Sequence, residues 1–205
     1  MVAGPAGDLA CALDAPEGAP RGLAVVCHPH PLHGGTMDNK VVATLARAFL
    51  QCGWRTVRFN FRGVGASAGH WDEGRGEVDD ALAVAAAARA TPDEPLVLAG
   101  FSFGAYVASQ AAAQLAASGS GGAGGGGGDV ERLVLVGPAA SRFAMAPVPQ
   151  TSLVIHGEVD DVVPLAAVFD WARPQVLPIV VVPGTGHFFH GQLPLLKQLI
   201  VDAWS

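Results

Sequence analysis

The stretch LVLAGFSFGAYVASQ, residues 96–110, joins a predicted strand to a predicted helix through the pentapeptide GFSFG at 100–104. The apolar run at 96–100 predicts a buried strand, and the alanine-rich run at 103–117 predicts a helix. A sharp turn between a strand and a helix exposes the hydroxyl of the serine at its centre but crowds the backbone there. Small residues two positions before and after the serine relieve that crowding. The pattern therefore predicts that Ser102 is a nucleophile.

Strand and helix patterns continue to alternate on both sides of this stretch. Further strands are predicted at 23–27, 54–61, 133–136, 153–156 and 179–182, and further helices at 39–52, 77–90, 164–172 and 192–204. The first twenty residues leave room for one or two outer strands. Because strands that are apolar on both faces and alternate with helices form parallel sheets, we expect an α/β fold with a mostly parallel central sheet and helices on both faces. Sites in such sheets lie beyond the carboxyl ends of the strands.

Length and composition are those of a single globular domain. The chain has 205 residues, of which 50% are hydrophobic and 15% are charged. That is enough chain for one well-buried core but too little for two. Residues 118–129 are almost all glycine and serine, and the patterns on both sides continue one core. We therefore expect a flexible surface loop at 118–129 within one domain that spans 1–205.

Charge and cysteine content narrow the partners and the compartment. The formal net charge is -6, and an acidic surface repels phosphate backbones, so we do not expect a nucleic-acid partner. The three cysteines form no Cys-x-x-Cys pattern, which favours a reducing compartment over a disulfide framework. Since neither an export signal nor a membrane-length apolar run is visible, we expect a cytoplasmic protein without a membrane span. The sequence leaves the oligomeric state open.

A histidine and a carboxylate follow the later strands. Of the seven histidines, His187 follows the last predicted strand, in the glycine-containing loop PGTGH at 183–187. Beside a serine nucleophile, an imidazole takes the proton and a carboxylate holds the imidazole in the correct tautomer. Three carboxylates lie in GEVDDVVP at 157–164, and Asp160 has the best position ahead of the next helix. Asp161 is the alternative, although it would more naturally cap that helix, so His187 and Asp160 are the predicted partners of the serine.

A second copy of the serine pattern, GASAG at 65–69, lacks the helix that should follow it. Glycine, histidine and tryptophan come next, and the following helical pattern begins only near residue 77. A serine nucleophile needs the turn from strand to helix to expose its hydroxyl. We therefore interpret Ser67 as a loop serine.

Two backbone N–H groups are needed to hold the negative oxygen of a tetrahedral intermediate. The residue after the nucleophile supplies one of them, which points to Phe103. The loop after the first central strand supplies the other, and here it reads HPHPLHGG at 28–35. Because the two prolines of this loop have no N–H, His30 is the predicted second donor and Leu32 is the alternative.

The histidines of this loop also allow a metal-dependent alternative. The spacing of His28, His30 and His33 resembles the His-x-His-x-Asp-His zinc motif of metallo-β-lactamase-like hydrolases. Leu32 stands where that motif has aspartate, so the second metal site would lose a ligand and the hydrolytic water would lose a partner. A zinc-dependent hydrolase is therefore a minor alternative, and the main interpretation needs no metal.

These motifs together resemble the α/β-hydrolase superfamily over nearly the whole chain, and the order of predicted nucleophile, acid and base is the order of that fold. The segments at 28–35, 36–40 (TMDNK) and 59–67 (FNFRGVGAS) resemble more narrowly a group of small bacterial α/β-hydrolases without a lid. That group is distantly similar to dienelactone hydrolases and carboxylesterases. Only about fifteen residues separate the predicted strands that end at 136 and begin near 153, which leaves no space for a cap domain.

The resemblance implies a carboxylesterase-like serine hydrolase without a cofactor, acting on a small-molecule acyl substrate, either an ester or a thioester. In that comparison Ser102, Asp160 and His187 fall on the triad, and His30 and Phe103 fall on the oxyanion positions. A non-catalytic binding protein that kept the fold is the competing hypothesis, and the complete triad argues against it. Of four phenylalanines beside the triad in sequence, we expect some to line an apolar pocket and at least two to join the core: Phe101, Phe103, Phe188 and Phe189.

Overall fold

The computed structural model describes residues 1–119 and 130–204, and its centre is a sheet of seven strands. The strands are β1 Val2–Gly4, β2 Gly7–Leu9, β3 Cys11–Asp14, β4 Leu23–Cys27, β5 Arg55–Phe59, β6 Leu96–Phe101, β7 Val130–Val136, β8 Leu153–Gly157 and β9 Val180–Val182. The helices are α1 Lys40–Gln51, α2 Arg75–Ala88, α3 Phe103–Gly119, α4 Leu165–Ala172 and α5 Leu193–Asp202. The sheet has the order β3-β5-β4-β6-β7-β8-β9, with β3 antiparallel at one edge and the other six strands parallel. The predicted α/β class with a mostly parallel sheet is confirmed.

Helices cover both faces of the sheet because its strands are apolar on both faces. In β6, Leu96 and Leu98 join the core shared with α2, α3 and α4, whereas Val97 and Ala99 join the core shared with α1 and α5. Every residue of β6 is buried. This is the burial expected of a central parallel strand, and it leaves the loops at the strand ends as the exposed parts of the sheet.

All five helices begin or end one or two residues away from their predicted bounds, as α2 and α3 illustrate. Helix α2 begins at Arg75 rather than at 77. The buried carboxylate of Glu77 accepts a hydrogen bond from the Gly74 N–H at 2.8 Å and so closes the first turn of the helix. Helix α3 continues to Gly119, so the first two residues of the predicted loop at 118–129 are helical. The rest of that loop lies outside the described residues.

The N-terminal segment forms three strands where the sequence predicts one or two. Strands β1 and β2 pair with each other in a separate antiparallel hairpin, and β3 joins the edge of the central sheet beside β5. No residue of β3 is fully buried, and its Leu13 is 56% exposed. An edge strand that buries so little has a weak apolar pattern, which explains the uncertain prediction.

The carboxyl ends of β4, β6, β8 and β9 meet at the same edge of the sheet, and the loops that follow them carry every predicted site residue. Between β7 and β8, residues 137–152 form no helix or strand, so this fold carries no lid there. No helix in the described ranges is long and apolar enough to cross a membrane. The cytoplasmic location and the assignment of 1–205 to one domain stay predictions.

Candidate active site

Ser102 occupies the turn between β6 and α3. Its φ of 57° lies in the left-handed region, which residues other than glycine rarely adopt and which costs roughly 1–2 kcal/mol. The Ser102 N–H donates to the carbonyl of Val136 on the neighbouring β7 at 2.9 Å, and α3 starts at the very next residue. These constraints on both sides impose the strained backbone that a serine nucleophile is predicted to need.

Gly100 and Gly104 are required because the backbone passes too close for a side chain. A Cβ on Gly100 would lie 2.1 Å from the carbonyl oxygen of Gly104. A Cβ on Gly104 would lie 2.2 Å from the carbonyl oxygen of Cys27 and 2.6 Å from that of His28. These neighbours are backbone atoms that cannot swing away. The second glycine therefore lets the start of α3 touch the loop that follows β4.

Two hydrogen bonds link the three predicted triad side chains. His187 Nε2 lies 3.0 Å from Ser102 Oγ, and His187 Nδ1 lies 2.7 Å from Asp160 Oδ2. The other carboxylate oxygen, Oδ1, accepts from the N–H groups of Val162 at 2.9 Å and Val163 at 2.7 Å. All three site residues are buried. The fold thus brings together residues from three separate loops.

The loops that carry Asp160 and His187 are packed onto each other. The Val159 N–H donates to the Thr185 carbonyl at 3.1 Å, and the Glu158 carboxylate accepts from the Gly184 N–H at 2.8 Å. A Cβ on Gly157 would lie 2.3 Å from the same Thr185 carbonyl oxygen, so this contact also depends on a glycine. These contacts between the two loops fix the position of the Asp160 carboxylate relative to the His187 imidazole.

Asp161 takes neither of the roles that its position suggests. In the described part of the chain its side chain makes no hydrogen bond. Helix α4 begins only at Leu165, after Pro164, and has no side-chain cap. The expectation that Asp161 caps this helix is therefore wrong, because the turn closed by Asp160 keeps the helix start away from it.

Electrostatics favour an ionised Asp160. Burial raises the pKa of this carboxyl, but hydrogen bonds from His187 and from the Val163 N–H, together with the nearby imidazoles, outweigh burial and hold the pKa below its usual value. An ionised carboxylate accepts from Nδ1–H of His187, which leaves Nε2 as the acceptor that faces the Ser102 hydroxyl. Such a tautomer can take the serine proton.

His156, at the end of β8, lies behind the carboxylate, and sequence reasoning missed its contact. Its Nε2 lies 2.9 Å from the Val163 carbonyl oxygen and 3.5 Å from Asp160 Oδ2. Burial lowers the pKa of His156, so the ring is neutral and donates mainly to the carbonyl. The histidine thereby fastens the turn that presents the carboxylate. Its place at the end of a strand was visible in the sequence, but its partner was not.

The two predicted oxyanion donors lie on segments that touch. Neither the His30 N–H nor the Phe103 N–H donates a hydrogen bond to any described residue. The Leu32 N–H, by contrast, donates to His30 Nδ1 at 3.2 Å, and this favours His30 over Leu32 as the second donor. The Gly35 N–H donates to the His30 carbonyl at 3.0 Å and helps to hold the loop, while Gly104 brings α3 against it.

The histidines of this loop do not fit the zinc alternative. Both ring nitrogens of His28 are used by the backbone, since Nδ1 lies 2.6 Å from the Pro29 carbonyl oxygen and Nε2 accepts from the Phe61 N–H at 3.1 Å. A histidine ligand needs a ring nitrogen free for the metal. Across the described ranges, no group of three or more His, Cys, Asp or Glu residues is placed to hold a metal ion.

Ser67 uses its hydroxyl to tie loops together. Its Oγ donates to the Asn60 carbonyl at 2.7 Å and accepts from the Ala10 N–H at 2.9 Å. This agrees with its interpretation as a loop serine. The buried thiol of Cys27 is also a poor nucleophile, because burial raises its pKa and keeps it protonated.

Aromatic residues surround the serine in a way that the sequence predicts only in part. Three of the four phenylalanines considered above belong to the core, namely Phe101, Phe103 and Phe189. Phe188 is 46% exposed beside His187 and is the only one available to a ligand. Sequence reasoning missed three half-buried rings that gather around Phe103, two of which, Trp71 and Phe143, come from separate segments while Tyr106 lies one turn further along α3.

Comparison with known proteins identifies the class. A family model of the alpha/beta hydrolase fold matches residues 32–147, more than half of the chain, and the chain belongs to that family. A solved α/β serine hydrolase without a lid from Xanthomonas campestris is 41% identical, with 98% of this chain and 90% of that chain covered and a TM-score of 0.86. A serine hydrolase homologue from Coxiella burnetii is 38% identical, with 98% and 94% covered and a TM-score of 0.78. An uncharacterized protein from Rickettsia prowazekii is 28% identical over 195 residues, which cover 88% of this chain and 77% of the relative.

These similarities confirm the predicted superfamily and the narrower group without a lid. They also support hydrolase activity, since the solved relatives are described as serine hydrolases. The substrate and the roles of individual residues rest on the geometry of this chain.

Proposed function

We propose that this protein is a serine hydrolase that cleaves small carboxyl esters or thioesters through an acyl-enzyme intermediate. The observation that carries the proposal is the unbroken hydrogen-bonded chain from Asp160 through His187 to Ser102, with donor–acceptor distances of 2.7 and 3.0 Å. The three groups are a nucleophile, a base and the carboxylate that orients the base, each within reach of the next.

In the acylation step, Ser102 Oγ attacks the acyl carbon while its proton passes to His187 Nε2. The resulting imidazolium is stabilised by the ionised Asp160, whose lowered pKa suits that role. The carbonyl oxygen becomes negative and accepts hydrogen bonds from the N–H groups of His30 and Phe103, which have no other partner among the described residues. The proton on Nε2 then goes to the leaving alcohol or thiol as its bond to the acyl carbon breaks.

In the deacylation step, water repeats the sequence. His187 takes a proton from water as the water oxygen attacks the acyl carbon, and the same two N–H groups hold the negative oxygen. The proton returns to Ser102 Oγ when the ester bond to the enzyme breaks and the carboxylic acid leaves. The cycle consumes only substrate and water.

The open site favours small substrates. Because residues 137–152 build no lid over the serine, a bound acyl chain is covered only by the loops around it. A shallow site buries less of a long chain than an enclosed pocket does, and so gains less binding energy from each added methylene. We therefore assign short or soluble acyl groups to this enzyme.

The test combines turnover with chemical labelling. The purified chain is assayed with p-nitrophenyl acetate, and His187→Ala should lower kcat by at least roughly 1,000-fold because the base is lost. A fluorophosphonate probe should label the peptide that contains Ser102. Ser67→Ala is the matched control, since it removes the serine of the same pentapeptide pattern and should leave labelling intact.

Two results would contradict the proposal. Labelling that persists in Ser102→Ala would show that another group is the nucleophile. Absence of ester or thioester turnover in a folded preparation that also resists the probe would favour the non-catalytic binding protein instead.

A further inference from the structure

Five aromatic rings form a continuous surface beside the oxyanion donors, which we call the aromatic shelf. Its members are His30, Trp71, Phe103, Tyr106 and Phe143. Centroids of neighbouring rings lie between 4.6 Å, for His30 and Trp71, and 5.9 Å, for His30 and Phe143. The shelf starts at the nucleophile itself, because Phe103 follows Ser102 directly and His30 supplies the other proposed oxyanion donor.

The shelf is only partly used by the core. Phe103 is 1% exposed and forms its floor, whereas the other four rings are half-buried and keep part of their surface in water. Each ring packs against at least one other, so few rotamers are open to it and little entropy is lost when a ligand binds. Burial lowers the pKa of His30, and the neighbouring His33 and Arg142 lower it further, so this ring is neutral near pH 7. The shelf is therefore a rigid and uncharged aromatic surface.

A second aromatic group lies on the other side of the serine. Phe101 belongs to the core on the α1 and α5 face of the sheet, whereas Phe103 belongs to the core on the opposite face. The rings of Phe101 and Phe188 pack on the His187 imidazole, with centroids 4.9 and 5.1 Å from it. No ring contact joins this group to the shelf in the described part of the chain.

The chemistry of the reaction determines where the leaving group and the acyl chain of a substrate lie relative to the two aromatic groups. The leaving group must receive its proton from His187 Nε2, so it lies on the imidazole side, beside Phe188. The oxyanion points toward the backbone N–H groups of His30 and Phe103. The remaining substituent on the acyl carbon is the acyl chain, and it extends away from the imidazole, over the shelf.

We infer that the preferred substrates are esters whose acyl part carries an aromatic ring, and that this ring packs on the aromatic shelf. The inference rests on the proposed function. A ring that joins such a cluster gains offset or edge-to-face contacts that an aliphatic ring of the same size does not make. An aliphatic acyl chain would bury similar area but lose those contacts.

The experiment compares methyl phenylacetate with methyl cyclohexylacetate, which share a leaving group and differ only in whether the acyl ring is aromatic. Values of kcat/KM are measured in a pH-stat and divided by the rate constants for hydroxide-catalysed hydrolysis of the same esters, which removes intrinsic reactivity. The corrected ratio should favour the aryl ester by roughly three- to tenfold. In Phe143→Leu and in Trp71→Leu the ratio should fall toward one, while Trp71→Phe should keep most of it.

Phe169→Leu is the matched control, because Phe169 is a 40% exposed phenylalanine on α4, outside the shelf. It should leave the ratio unchanged. Both esters are assayed with the same protein preparation, so a smaller folded fraction in a variant lowers both kcat/KM values equally and leaves their ratio unchanged. A corrected ratio near one in the unaltered enzyme, or a ratio that survives both leucine substitutions, would overturn the inference while ester hydrolysis itself continued. Failure to hydrolyse either ester or p-nitrophenyl acetate would overturn the proposed function, and the inference with it.

Discussion

Residues 65–69 and 100–104 share the pattern Gly-x-Ser-x-Gly, but different residues of the two copies have a positive φ. In the copy at 100–104 the serine is left-handed, with a φ of 57°, and neither glycine has a positive φ. In the copy at 65–69 both glycines are left-handed, with φ values of 57° and 82°, and the serine is not. Glycine provides close approach in the first copy and conformational freedom in the second.

The two hydroxyls differ accordingly. Ser102 lies where three loops meet, and its Oγ contacts the imidazole of His187. Ser67 bridges the backbone of Asn60 and Ala10, so both of its hydrogen-bonding functions serve the fold. The difference teaches that, of the two copies, only the one that a buried strand enters and a helix leaves places its serine beside a base, and this is the copy proposed to carry the nucleophile.

The largest contrast is expected in activity. Ser102→Ala should lower kcat for p-nitrophenyl acetate by roughly 10,000-fold or more, because the attacking atom is lost and only background catalysis by the remaining site persists. Stopped assays with excess protein measure the residual rate. Circular dichroism confirms that the variant is folded. A loss of less than tenfold would contradict the prediction, since it would show that Ser102 contributes no more to activity than Ser67.

The next contrast is expected in stability and concerns the glycines. Gly104→Ala places a Cβ 2.2 Å from the Cys27 carbonyl oxygen and should cost more than about 3 kcal/mol of unfolding free energy, since backbone must shift. Gly65→Ala meets only the side chain of Asn60, with Nδ2 at 2.8 Å, and should cost about 1–2 kcal/mol, mainly from its left-handed backbone. Urea unfolding measures both variants. Equal losses would show that close approach is not what the pentapeptide at 100–104 requires.

A pH dependence of stability is expected from His28, whose backbone lies against Gly104 and whose buried ring accepts from the Phe61 N–H. Burial lowers the pKa of His28 to about 4, so between the ordinary value of 6.5 and that value the unfolded chain binds the extra proton. The neutral His28 therefore contributes its full stabilisation above pH 6.5, and the unfolding free energy declines by about 3 kcal/mol as the pH falls to 4. Unfolding free energies are measured from pH 7.5 to 4.5 for the unaltered chain and for His28→Gln. The variant curve should be flatter, and parallel curves would contradict the prediction.

The smallest effect is expected for Ser67→Ala. This change leaves the Asn60 carbonyl and the Ala10 N–H without their partner and should cost about 1–2 kcal/mol of unfolding free energy. Values of kcat/KM for p-nitrophenyl acetate should stay within roughly twofold, because the serine touches no group of the proposed triad. Thermal unfolding and steady-state kinetics are measured on the same preparation. A large fall in activity with unchanged stability would reverse the roles assigned to the two serines.

Much of this comparison could be predicted from local sequence. Strand β4 matches its predicted bounds, Leu23–Cys27, because a short apolar run of this length that contains β-branched residues is typical of a buried strand. Ser102, Asp160 and His187 were each predicted from a loop that follows a strand. Strand β3 was harder, since an edge strand buries too little to leave a clear pattern.

Other features depend on contacts between distant segments, and for these the sequence offered a preference among alternatives or no signal. Of the two adjacent aspartates, only Asp160 is in contact with the imidazole of His187, which comes from the loop at 183–187. The preference for His30 over Leu32 follows from a hydrogen bond that uses the Leu32 N–H. Trp71 and Phe143 each lie more than thirty residues from Phe103 along the chain, so no spacing in the sequence indicates that their rings pack beside it.

The sequence by itself determined the layered α/β architecture, the turn that carries Ser102 and the order in which the proposed nucleophile, acid and base follow the strands. Those features arise from the apolar period and from the steric freedom of glycine, which act over a few neighbouring residues. Only the tertiary structure decided which carboxylate faces the imidazole, which N–H groups stay free for an oxyanion and which rings gather beside the serine. Hydrogen bonds and ring contacts form between surfaces, and a surface exists only after the sheet has brought its loops to one edge.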